Sequence, residues 1–357
     1  MVENKETHLK WKKPLFKRKT PASPELIEVG IIGCSPGGSH INSIYGPQIN
    51  PAKIGDTQFI RSTGMRITYV WDAVQKYAED FAKNYDVRKV ESFDDMVGKV
   101  DAVMITDIFA TPYYYTLAKP YLEAGIPLFL NRPFAYSKKN LNRLMSLIES
   151  CGTPVFYGDE FENVKETRTA RMMVTKMEPI LAVDATNSMS DYPSHGIHGI
   201  NWILSCIGDG VERVSYQTPS WKKPNGSLIM EYAPRVEGGK TFYAALQQMM
   251  GGVTSASIRI YTKGGYYEDD LTWGEGRWYR THFIFGPILM NFQRMIEEGR
   301  MIQSLENLRH RTEVFLAGFY SHVEKNGKPV ALDSVPEEWT APSLWESNAW
   351  IEWSRSV

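Results

Sequence analysis

VGIIGCSPGGSHI, residues 29–41, joins an apolar run to a glycine-rich loop and then to the start of a helical pattern. Strand, tight loop and helix in that order open a βαβ unit. Gly33, Ser35 and Gly38 fall on the three small positions of the G-x-G-x-x-G spacing, with Pro36 and Gly37 between them. The middle position needs room for backbone N–H groups to approach a pyrophosphate, and serine is the next-smallest polar choice after glycine. A tight structural turn would use the same residues, so the loop alone leaves both readings open.

Outward from this loop the chain alternates short apolar runs with helical spacing. Strands are expected at 27–32, 67–71, 102–106, 128–130 and 155–157, and helices at 73–85 and 138–152, the latter ending on Gly152 as a C-cap. Buried strands separated by helices predict right-handed crossovers and a doubly wound parallel sheet, an α/β Rossmann domain. From about residue 160 the texture changes. A helix over 164–177 is followed by alternating runs at 179–188, 211–218, 241–249 and 254–265, then by helical patterns at 290–299 and 304–327. Alternation of period two predicts an α+β domain with a large, mostly antiparallel open sheet. The expected division is a basic arm (1–24), a nucleotide-binding domain (25–158), a substrate-binding and oligomerisation domain (159–335) and a C-terminal tail (336–357). An open sheet needs a cover, and a second copy of the chain is the natural one, so a homo-oligomer is expected.

Composition narrows the class. The 357 residues are 43% hydrophobic and carry a formal net charge of -1, which argues against binding nucleic acid through bulk charge. Three widely spaced cysteines (Cys34, Cys151, Cys206) suit a reducing cytoplasm rather than a disulfide framework. The basic N-terminus has no apolar signal core, and no run is long enough to span a bilayer, so neither secretion nor a membrane is expected.

In a parallel sheet, ligands bind at the C-terminal strand edges. Asp72 ends the second strand, where a carboxylate can bind the ribose hydroxyls of NAD and repel the 2′-phosphate of NADP. It could also cap the following helix. Thr106 and Asp107 end the strand at 102–106, and Asn131 and Arg132 interrupt the apolar run 126–137 just before Pro133. A second cluster lies in DYPSHGIHGINWIL (191–204), where His195 and His198 share a helix face with Asn201 one turn on. Buried structural histidines, a metal pair with a carboxylate such as Glu160, and a general base are the three readings. Imidazole titrates near neutrality and suits the last. No metal-ligand motif accompanies the pair, and no metal is expected.

Gly33-x-Ser35-x-x-Gly38-x-His40, Asp72, DAVMIT (101–106), LEAGIPLFLNRPFAYS (122–137), SHGIHGIN (194–201) and FLAGFYSHVEKNGKPVAL (315–332) occur in an order that resembles the glucose–fructose oxidoreductase/inositol dehydrogenase (Gfo/Idh/MocA) family over roughly residues 26–335. The resemblance implies an NAD(P)-binding Rossmann domain and oxidation or reduction of a sugar, cyclitol or glycoside at its junction with the second domain. It sets the family's Glu-Lys-Pro or Asp-Lys-Pro on Asn131-Arg132-Pro133 and its D-x-G-x-H-x-x-D on residues 194–201. His198 then falls on the catalytic histidine and Asn201 on the substrate-binding aspartate. The chain departs from the family at Asn131, Arg132, Ser194 and Asn201. Arginine cannot relay a proton as lysine can, but it orients a hydroxyl and stabilises an alkoxide.

The expectation is therefore an NAD-dependent dehydrogenase with His198, Arg132 and His195 in catalysis. Gly33, Ser35, Pro36, Gly37, Gly38, Asp72, Thr106, Asp107, Asn131 and Arg132 would hold the cofactor. Tyr192, Asn201, Glu160 and Tyr114 would meet the substrate. Rings at Tyr113, Tyr115, Trp273, Trp278 and Tyr279 could cover an aryl glycoside. A catalytically silent NAD- or sugar-binding homologue is the alternative.

Overall fold

A computed structural model describes residues 26–50, 64–187, 191–219, 225–234, 239–249, 255–272, 277–342 and 348–356. The basic arm 1–24 and Trp273 lie outside them, as do the side chains of Glu160, Trp278 and Tyr279.

Strands β1 (Ile27–Ile32), β2 (Met65–Trp71), β3 (Arg88–Lys89), β4 (Ala102–Ile105), β5 (Leu128–Asn131) and β6 (Val155–Gly158) form one sheet in the order β3-β2-β1-β4-β5-β6. All its pairings are parallel. Every residue of β4, β5 and β6 is buried, which explains why these strands read as continuous apolar runs rather than alternating ones. The helices of this half are α1 (Gly46–Ile49), α2 (Gln75–Tyr85), α3 (Tyr114–Glu123) and α4 (Lys138–Cys151). Ser137 caps α4 by accepting from Asn140 N–H, and Gly152 ends it in the left-handed region at φ 65°.

Two helices, α5 (Glu160–Asn163) and α6 (Lys165–Met177), lead into β7 (Ile180–Asn187), and α7 (Ile197–Ile207) follows. Then come β8 (Val211–Gln217), β9 (Gly226–Tyr232), β10 (Phe242–Gln248), β11 (Ser255–Thr262) and β12 (Gly265–Thr272). With β13 (Val330–Ala331) they form a seven-stranded sheet ordered β12-β11-β7-β10-β9-β8-β13. Only β7 and β10 run parallel among its pairs; the rest are antiparallel. The long helices α8 (Arg277–Glu298) and α9 (Leu305–Lys325) complete the second half. The pattern at 290–299 captures only the end of α8, because Gly286-Pro287 reads as a stop and the helix runs through it. No helix among the described residues is long and apolar enough to cross a membrane.

The segment 336–357, expected as a tail, returns to the first sheet. Ala341 N–H donates to Tyr136 O, and a short helix, α10 (Asn348–Ser354), buries Trp350 against Trp71 and Tyr113.

One side chain finishes the parallel sheet. Gln303 accepts from Tyr157 N–H at 2.8 Å and donates to Tyr157 O at 3.0 Å, so its amide bonds the outer edge of β6 as a neighbouring strand would. Gln303→Ala leaves two buried backbone groups without these partners. The expected loss is about 2 kcal/mol of stability, read from the urea midpoint at unchanged slope.

Candidate active site

The nucleotide loop is tied to the C-terminal end of β4. Thr106 Oγ1 donates to Gly33 O, Ser39 Oγ donates to Thr106 Oγ1 at 2.8 Å, and Gly38 N–H donates to Ser35 Oγ at 3.1 Å. Gly33 holds φ +82°, and a Cβ there would lie 2.4 Å from Asp107 Cβ. At Gly38 a Cβ would lie 2.4 Å from Asp107 Oδ1, whereas at Gly37 it would meet open space. The loop is thus packed tightly inward and open outward, a shape that lets a diphosphate approach its backbone, so the residues present fit a dinucleotide.

Asp72 is fully buried and clamps this loop: Oδ2 accepts from Cys34 N–H at 2.6 Å and Oδ1 from Val74 N–H at 2.8 Å. Burial raises its pKa, opposed by those two N–H donors. Each carboxylate oxygen has a further lone pair, so clamping and ribose binding are compatible. Asp107 is pushed up to about 6 by burial, against hydrogen bonds from Ser35, Phe109 N–H and Trp350. Asn131 is a latch: its Nδ2 donates to Thr106 O, its Oδ1 accepts from Arg132 N–H, and its carbonyl accepts from Tyr114.

The strand edge and the second domain meet at Arg132, which is 2% exposed. Its Nε–H has no hydrogen-bond partner among the described residues. His40, His195 and His198 surround it, and all three are held well below the ordinary histidine range, by burial first and then by the guanidinium. His195 and His198 sit 5.5 Å apart between ring centroids, as their three-residue spacing predicts. A π-type turn over Tyr192–Gly196 runs straight into α7 and carries them both on one side. Ser194 Oγ lies 2.6 Å from His195 Nδ1 and also donates to Asp191.

His198 Nδ1 lies 2.7 Å from Asp159 Oδ2, with both side chains fully buried. Asp159 is pushed up to about 6 by burial, against the Asn201 amide and the charges of Arg132 and Arg311. Sequence reasoning missed Asp159, and it gave His40 no role. The signal for Asp159 was available: it follows β6 directly, as Arg132 follows β5 and Asp72 follows β2.

Other expectations are placed differently. Tyr192 is a core residue rather than part of a ligand wall. Its ring stacks between Tyr216 and Phe315, and its hydroxyl donates to Phe315 O. Tyr114 is likewise buried beneath Asn131. Asn201 is fully buried on α7 beside Asp159. Tyr113 packs on Trp350, and Tyr115 lies under the Arg143 guanidinium at 4.0 Å.

Residues 27–159 match a protein family described as "Oxidoreductase family, NAD-binding Rossmann fold". No curated protein sequence matches the chain. Among solved structures, the chain resembles scyllo-inositol dehydrogenase from Lactobacillus casei with bound NAD(H) and scyllo-inositol. The identity is 16% over 87% of this chain and 100% of that one, at a TM-score of 0.69. An oxidoreductase from Thermotoga maritima is similar at 16% identity, 87% and 100% coverage and TM-score 0.65. GenD2 from gentamicin A biosynthesis, in complex with NAD, is similar at 14% identity, 89% and 99% coverage and TM-score 0.66. At these identities the likeness is one of fold, and it extends across both sheets.

Proposed function

Residues 27–159 form the NAD-binding Rossmann domain of the Gfo/Idh/MocA oxidoreductase family, and from that premise we propose that the chain is an NAD-dependent dehydrogenase acting on a secondary alcohol of a sugar, cyclitol or glycoside. The observation that carries this reading is the buried Arg132 guanidinium. It has an orphaned Nε–H and stands beside a histidine already paired to a carboxylate. A buried guanidinium whose Nε–H lacks an acceptor is costly unless a bound group completes it. A hydroxyl losing its proton is such a group.

Bound nicotinamide supplies the hydride acceptor. The protein supplies the rest. His198 takes the hydroxyl proton through Nε2 while Asp159 holds Nδ1–H, fixing the tautomer and stabilising the imidazolium that forms. Arg132 orients the hydroxyl and offsets the developing negative charge on oxygen. His195, held by Ser194, and Asn201 are proposed to bind the substrate's other hydroxyls. Asp72 is proposed to favour NAD over NADP, and the aryl glycoside is the finer substrate proposal.

Measuring NADH formation over a panel of sugars, cyclitols and O- and C-glycosides tests this. Turnover of at least one class is expected. NAD binding with every candidate inert would favour the silent homologue instead.

The pH dependence follows from the site. Because burial and Arg132 hold His198 well below its usual range, it is neutral and able to accept a proton at pH 7. Proton uptake by the pair is half complete near pH 6, where Asp159 titrates. For alcohol oxidation, kcat/KM is therefore expected to hold from pH 8 to about 7 and to fall below that. A limb starting near pH 7.5 would show an unshifted base.

The outer face of the seven-stranded sheet, with Leu181 and Tyr243 exposed, is proposed as the surface covered by a second copy. Light scattering should give a mass of two chains or more, and a monomer at micromolar concentration would refute it.

A further inference from the structure

A second charged cavity lies outside the candidate active site. It has a volume of about 480 Å³ and opens between α6, α8 and the first turns of α9. Among the described residues, four guanidiniums line it, from Arg168, Arg171, Arg294 and Arg311, against a single carboxylate, Glu162.

Glu162 is already committed. It pairs with Arg311 at 2.9 Å and accepts from Gln303 Nε2 at 2.9 Å. Arg294 pairs with Glu298 one turn along α8. Asp209 stands behind Arg311, its nearest oxygen 4.0 Å from Nε. Arg168 and Arg171 have no ion pair among the described residues, and Arg171 Nε donates to the neutral carbonyl of Ser205. Two of the four cations, Arg168 and Arg171, therefore line the cavity with no carboxylate against them among the described residues.

Two further observations point to a ligand. Arg311 is 5% exposed, lines the cavity and has an Nε–H with no hydrogen-bond partner among the described residues. Ser304, Asn307, Leu308 and Arg311 also bring the N-terminal turns of the 21-residue α9 onto the same cavity. The end of a long helix adds positive potential where the guanidiniums already cluster. Guanidinium forks match phosphate oxygens two at a time, and the side-chain amides of Asn291 and Asn307 on the lining add neutral donors.

We propose that this cavity is a binding site for a small phosphate-bearing molecule, separate from the nucleotide loop. The volume exceeds what an inorganic phosphate needs, so a diphosphate or a sugar phosphate fits better than a single ion.

Titration calorimetry on the full chain at saturating NAD, with inorganic pyrophosphate as probe, tests the site. NAD keeps the nucleotide loop filled. Saturable binding of one pyrophosphate per chain is expected, weakened at least tenfold in the double variant Arg168→Gln/Arg171→Gln. Both positions are exposed and only the Arg171 bond to Ser205 O is given up, so the anion-free melting temperature should fall by no more than about 4 °C. Arg168→Lys/Arg171→Lys, which keeps the charge and removes the fork, should bind with intermediate affinity. Absence of saturable binding to the wild type overturns the proposal. So does equal affinity in the Gln variant, which would place the probe elsewhere. Citrate bound more tightly than pyrophosphate would overturn the assignment to phosphate.

Discussion

His198→Ala is expected to lower kcat for alcohol oxidation by about 10²–10⁴-fold while leaving NAD affinity within about twofold of wild type. His198 is the group proposed to take the hydroxyl proton, and it is carried on α7, away from the nucleotide loop. Residual activity of the variant should rise with pH, because hydroxide replaces the missing base. Asp159→Asn tests the same unit more gently. It keeps the shape and the hydrogen bond but removes the charge that stabilises an imidazolium, so a loss of about 10²-fold or more is expected. Near-normal turnover by His198→Ala would remove His198 from the chemistry. Full biological output without turnover in either protein would favour the silent homologue.

Arg132→Ala is expected to cost about 10²–10³-fold in kcat, with the acid limb of kcat/KM moved to higher pH. The direction follows from charge. The guanidinium helps to hold His198 down, so its removal lets the imidazole keep its proton to higher pH. Arg132→Lys retains a fixed cation and should keep substantial activity with little movement of that limb. The Lys variant loses only the planar fork, which is proposed to fix hydroxyl orientation. The pair of variants thus separates charge from geometry. If Arg132→Ala alters KM alone, the guanidinium binds substrate equally in ground and transition states, and its proposed role on the developing alkoxide is wrong.

The parallel sheet was legible because its chemistry is local. Buried strands are apolar on both faces, and the runs at 27–32, 102–106 and 128–130 coincide with β1, β4 and β5 to within one residue at each end. In the second sheet β9 and β12 escaped notice. β12 carries Glu268, Asp269 and Asp270 in succession on an outermost strand, where burial does not impose a hydrophobic period. β9 alternates in burial, but its outward positions hold Ile229 beside Ser227 and Glu231, so polarity does not track exposure.

The site was half legible for a related reason. The histidine pair is encoded by a three-residue spacing across the turn 192–196 and the start of α7, so sequence shows it. Its pairing with Asp159 joins residues 39 apart, and no local pattern announces it. Tyr192 failed in the opposite direction: aromatic identity suggested a ligand wall, while stacking on Tyr216 and Phe315 is a matter of tertiary packing.

The glutamine bonded along β6 also governs how the protein can grow. An unpaired strand edge is a template on which another chain can add a strand and start aggregation. At β6 that template is closed by Gln303. At the opposite border, β3 is two residues long and both are cationic. Neither border of the parallel sheet invites continuation, so copies of this chain are not expected to add to one another strand by strand through that sheet.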